Sequence, residues 1–147
     1  MKIEFQNTPY PGSESGIHEI LDLAEAYYSA AITLFQKAEK EAPLSYAPAR
    51  LCSIHAIELY LNAFLRYQGV DSKEIRGRMH NLADPIFVEV LILRRKTAAH
   101  LAAMTEGREY LISRYAPDLV SQHTELNRLT STLVEVMTKT SKHIRQS

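Results

Sequence analysis

The stretch PARLCSIHAIELYLNAFLRYQG, residues 48–69, decides the fold class. Leu51, Ile54, Leu61 and Leu65 recur at helical spacing, and Cys52, Ile57 and Phe64 widen the stripe. That is one wide apolar face of a helix. Pro48 suits a first helical turn and Gly69 a stop. Glu58 interrupts the stripe, and a carboxylate held there needs a partner. Arg95 could neutralise it, or it could orient His100. Alternatively, Tyr or His hydrogen bonds satisfy it and tie the second helix to the third.

The same period extends to both sides. Ile17, Leu21, Ala24, Tyr28, Ala31, Phe35 and Ala38 mark a first helix over about 14–42, which Ser13 or Ser15 caps and Pro43 stops. Tyr27 and Tyr28 read as packing residues. Asp84-Pro85 opens a third helix over about 85–105, on Ile86, Val90, Leu93, Thr97, Leu101 and Met104. Pro117-Asp118 opens the last, over about 118–143, on Leu119, Leu126, Leu129, Leu133 and Val136. Between them, 70–82 reads as a polar connection and Tyr110–Ala116 as a short helical turn. Residues 1–12 read as an extended arm ending in Pro9-Tyr10-Pro11-Gly12. Short connections favour antiparallel neighbours. The expectation is therefore a single all-α domain over 1–147, an antiparallel up-down four-helix bundle.

Composition agrees with a packed helical chain. Of 147 residues, 46% are hydrophobic and 23% charged, with only 5 Gly and 6 Pro as breakers. The 17 basic and 17 acidic side chains cancel, which weighs against a dedicated nucleic-acid binder. They are unevenly spread: residues 14–41 carry six acids against Lys37 and Lys40, and 50–114 carry ten bases against seven acids. Cys52 is the only cysteine, so a disulfide framework within the chain is excluded, as is a cysteine zinc site. With no signal-peptide-like start and no bilayer-length apolar run, a cytoplasmic protein without a membrane span is expected. Gly-rich phosphate loops, metal-spaced histidines and serine elbows are missing, so neither a metal nor a cofactor is expected.

Three segments resemble the HEPN family of RNA-associated helical proteins. Ala56–Leu65 is similar to that family's second helix with an internal glutamate. Met79-His80-Asn81-Leu82 resembles its Gly-His-Asp/Asn-Leu loop, with Met79 where glycine is usual. Ser113-Arg114-Tyr115-Ala116-Pro117-Asp118 resembles its Arg-Tyr-Pro element, with Ala116 inserted. The resemblance covers about 17–140 and implies the four-helix fold. In nucleolytic members an arginine precedes a histidine by four to six residues, and Arg95-Lys96-Thr97-Ala98-Ala99-His100 fits that rule, with Arg94 also in range.

The resemblance then implies a homodimer whose shared cleft cleaves RNA without metal. Arg95 would hold phosphate and His100 would transfer protons, with Glu58 and Arg94 in support. On a straight helix, Arg95 and His100 lie about 140° apart around the axis, so the motif needs a distorted helix or a second protomer. Arg50 and His55 share the spacing, but too early in the second helix to match the family's site. Arg76, Arg78, Arg94, Arg95 and Lys96 form the candidate RNA surface, with Arg114 a lesser candidate. His80 reads as a brace for its connection. The resemblance also suggests a toxin–antitoxin or defence setting, with an antitoxin or a separately encoded nucleotidyltransferase as partner. The rival expectations are a catalytically inert HEPN-like module that binds a nucleotide or such a partner, and a structural dimerisation bundle.

Overall fold

The computed structural model describes residues 10–146, apart from the side chains of 120–122. The arm expected over 1–12 falls largely outside the described residues, and 11–14 form a turn. The described residues are helical, in the order α1 (Ile17–Lys37), α2 (Ala47–Tyr67), α3 (Ser72–Arg76), α4 (Pro85–Glu89), α5 (Arg95–Glu106), α6 (Glu109–Tyr115) and α7 (Leu126–Arg145). Short 3-10 turns at Pro43–Tyr46 and Pro117–Gln122 precede α2 and α7. No strand occurs among the described residues.

The central helix is α2. Its buried residues, from Ala49 through Ile57, Tyr60 and Phe64 to Leu65, surround the helix axis, as an apolar helix packed by neighbours on several sides requires. It contacts α1, α6 and α7. Arg66 near its end donates to the Ser15 carbonyl just before α1, at 3.1 Å, so α1 and α2 run antiparallel. Thr97 and His100 of α5 meet Glu135 and Thr132 of α7 in reverse order, so those two are antiparallel as well. One cluster of buried side chains, including Leu21, Ile57, Phe64, Phe87, Leu101 and Leu133, joins α1, α2, α4, α5 and α7.

Three helices differ from the expected ones. The first is shorter: Gly16, rather than either serine, takes the N-cap position, and its N–H is accepted by Glu19 Oε1 at 2.9 Å. At its other end, Ser45 folds back onto Glu39 and Ala42 in place of a last helical turn.

The third begins as read, with Asp84 accepting the Ile86 N–H at 3.0 Å and Pro85 behind it. It then breaks after Glu89, where Glu135 accepts the Arg94 N–H and Lys139 donates to the Ile92 carbonyl, so that α5 starts afresh at Arg95. The chain turns instead, with the Leu93 N–H donating back to the Phe87 carbonyl at 3.0 Å, which buries Leu91 and Leu93 and leaves Val90 and Ile92 outside. Ile92 takes the left-handed conformation (φ +59°) at the turn.

The last helix starts eight residues later than expected. Glu109 at the head of α6 accepts both the N–H and the hydroxyl of Thr124, which holds the preceding segment in a 3-10 turn.

Candidate functional site

Helix α5 brings the expected arginine–histidine spacing into view, and it separates the pair. His100 is 5% exposed, facing α7, whereas Arg95 and Lys96 are exposed. His100 Nδ1 lies 2.7 Å from the Thr132 hydroxyl and Nε2 lies 2.8 Å from that of Thr124. The Thr124 hydroxyl gives its proton to Glu109 Oε2 at 3.1 Å, so it accepts from His100 Nε2–H, and Nδ1 accepts from Thr132. Every position on the ring is used by the neutral form. Burial, together with the Arg128 and Arg50 guanidiniums, pushes its pKa down to about 4. Arg50 is itself buried, which lowers its pKa, while Glu109 nearby acts in the opposite direction.

Arg94 does not support His100 either. Its N–H and Nε each donate to the Glu135 carboxylate at 2.7 Å, across the start of α5. Thr97 and Lys139 complete that carboxylate's shell at 2.6 and 3.0 Å. Glu135 therefore plugs the positive end of α5 from α7.

The partly exposed titratable groups gather elsewhere. Glu58, midway along α2, is met not by Arg95 or His100 but by His80, whose Nδ1 lies 2.8 Å from Oε1 and 3.2 Å from Oε2. A carboxylate only accepts, so Nδ1 carries a proton, and Nε2 is left for a further partner. His80 reaches that position from a strained turn, where Met79 (φ +54°) and His80 (φ +66°) are both left-handed without being glycine. Its ring stacks on Tyr110 of α6, with centroids 4.7 Å apart and planes 31° apart.

One turn before Glu58 on the same face, His55 packs edge-on against Tyr27, with centroids 4.5 Å apart. Burial lowers the His55 pKa below the usual imidazole range. Glu58 opposes that shift, and Arg114 and His80 add to it. Arg114 on α6 is exposed. His55, Glu58, His80, Tyr110 and Arg114 thus form a half-open group of two imidazoles, a carboxylate, a phenol and a guanidinium.

The remaining basic candidates divide. Arg78 is structural: its guanidinium holds Asp84 at 2.9 Å and the Asn81 and Ala83 carbonyls at 2.9 and 3.1 Å. Arg76 lies over the Tyr10 ring, 4.4 Å from its centroid, and remains exposed. In the sequence His55 is set aside because the Arg50–His55 spacing falls too early in the second helix to match the site the resemblance implies. Its separation of three from Glu58 was the available signal. Among the described residues no group of three or more His, Cys, Asp or Glu side chains could hold a metal ion, and no helix is long and apolar enough to cross a membrane.

No family model matches the chain, and no curated protein or solved structure matches it.

Proposed function

We propose that the chain is an HEPN-like RNA-binding protein and a metal-independent endoribonuclease whose working centre is the Glu58–His80 pair with His55 and Arg114. The observation that carries this reading is a convergence. The three segments that resemble the HEPN family meet at this one surface: Glu58 from the first, His80 from the second and Arg114 from the third. The antiparallel pairs α1/α2 and α5/α7 are compatible with the up-down bundle of that family. The homodimer and the toxin–antitoxin or defence setting belong to the same reading.

The chemistry follows from the groups present. His55 is held neutral near pH 7 and takes the proton of an RNA 2′-hydroxyl, whose oxygen then bonds to phosphorus. The bond from phosphorus to the 5′-oxygen breaks. His80, whose ring is oriented by its Nδ1–H bond to Glu58, gives that oxygen a proton from Nε2. The products are a 2′,3′-cyclic phosphate and a 5′-hydroxyl. Arg114 pairs with the non-bridging oxygens, where charge develops.

The test is cleavage of single-stranded RNA in the presence of a chelator. Wild type is compared with His80→Ala, His55→Ala, Arg95→Ala and His100→Ala, each checked for helicity. Losing a proton-transfer group reduces the rate by about 10²–10⁴-fold, and that loss is expected for His80→Ala and His55→Ala. Full activity in both variants overturns the assignment. A loss confined to Arg95→Ala and folded His100→Ala returns catalysis to α5. Absence of cleavage by wild type leaves the second reading, an inert HEPN-like module that binds a nucleotide or a partner. One observation favours that reading: His100 is already satisfied within the fold.

A further inference from the structure

Two adjoining hollows, of about 540 and 500 Å³, run along the outer side of α7 and share Lys139. Val134 lines the first, and Tyr67, Val90 and Ile92 line the second. All four are exposed, Ile92 most of all at 62%. Cations edge this apolar floor: Arg94 beside the first hollow, Lys142 beside the second, and Lys139 between them. The only carboxylate lining either hollow, Glu135, is enclosed by Arg94, Thr97 and Lys139.

Ile92 is the unusual member. A β-branched residue in the left-handed region is strained, and here it also leaves most of its surface in water. Lys139 Nζ donates to the Ile92 carbonyl and holds the turn that displays it. Asn or Gly at this position would lower both costs within the chain itself, so the benefit of isoleucine lies outside it.

We propose that this groove receives an amphipathic helix of a partner protein. Apolar residues of that helix would rest on Val90, Ile92 and Val134. Its carboxylates would face Lys142 and the exposed outer edge of the Arg94 guanidinium, whose Nε is held by Glu135. Lys139 is occupied by Glu135 and the Ile92 carbonyl. The charge pattern selects this occupant. A second copy docked groove to groove would oppose cation to cation. The acidic face of a neighbour's α1 is already engaged, because Asp22 and Glu25 pair with that chain's own Arg145 at 2.9 and 3.2 Å. The hollows are too open to enclose a small molecule, whereas a helix laid along a shallow groove needs no enclosure. An RNA backbone would use the cations and leave the aliphatic floor unpaired.

The test is fluorescence anisotropy with the full chain and three labelled probes: a short Leu/Glu amphipathic peptide, its Leu/Lys counterpart of identical spacing, and single-stranded RNA. The Leu/Glu peptide is expected to bind more weakly as salt rises, and the Leu/Lys peptide not to bind. Ile92→Asn and Lys142→Glu are each expected to weaken binding by about tenfold or more. Ile92→Asn should melt no lower than wild type, which separates lost docking from lost folding. Failure of the Leu/Glu peptide to bind, equal binding of both peptides, indifference to both substitutions, or displacement of the peptide by RNA overturns the proposal.

Discussion

The Thr124 hydroxyl lies 2.8 Å from His100 Nε2 while its own proton goes to Glu109, so threonine fixes which form of the histidine the fold accepts. An imidazolium in that place would turn its Nδ1 proton on the Thr132 hydroxyl, beside two guanidinium charges and with little water.

Stability should therefore depend on pH through His100. Its folded pKa of about 4 lies below the unfolded value near 6.5, so the unfolded chain binds the extra proton in that interval. The contribution is complete above pH 6.5 and declines as pH falls towards 4. The difference corresponds to about 3 kcal/mol. Urea unfolding at several pH values checks it, with His100→Gln as the comparison. The variant should be less stable at pH 7.5 and should lose less between pH 6.5 and 4. A slope unchanged by the substitution would assign the acid sensitivity to other groups.

Glu135 should produce a second, lower window. Burial alone would raise its pKa, but the hydrogen bonds from Thr97, from the Arg94 backbone and side chain, and from Lys139 outweigh burial and bring it to about 2. Its contribution is present above the unfolded value near 4.5 and is lost as pH falls from there towards 2. Glu135→Ala also leaves Arg94 and Lys139 without their shared anion and uncaps α5. Arg94 and Lys139 are solvated once freed, so the cost comes from the lost cap and hydrogen bonds and should be about 1–3 kcal/mol at pH 7 by denaturant titration. A cost below about 0.5 kcal/mol would mean that water replaces the carboxylate without penalty.

The parts of this molecule that could be read from its sequence are those set by local chemistry. The apolar faces of α1, α2 and α7 follow from residue spacing, and the start of α4 follows from Asp84 and Pro85, because cap and periodicity act within a few residues. The break at 90–94 could not be read this way. Ile86, Val90, Leu93 and Thr97 keep helical spacing, and what ends the helix is Glu135 and Lys139, more than 40 residues away in the chain. The candidate site was half legible. Glu58 announced its need for a partner, but spacing alone could not choose among Arg95, His100 and His80. That choice depends on which way the 70–84 connection folds back over α2. The Arg95–His100 spacing remained visible throughout, and the 12-residue helix α5 turns its two members to different sides.

Met79 offers the clearest test of strain at the His80 turn. Its side chain is 77% exposed, so it contributes little packing, yet its backbone holds φ +54°, which only glycine adopts freely. Removing the Cβ relieves about 1–2 kcal/mol of left-handed strain, and the looser unfolded chain returns about 0.5–1 kcal/mol of that. Met79→Gly should accordingly stabilise the protein by roughly 0.5–1 kcal/mol, while Met79→Ala, which keeps the Cβ, should not. Parallel thermal melts of the three proteins decide it. Because the backbone path is retained, His80 should stay on Glu58, and any RNA cleavage that depends on His80 should persist in the glycine variant. A glycine variant no more stable than the alanine one would show that the turn carries no strain and that His80 is delivered to Glu58 by packing on Tyr110 alone.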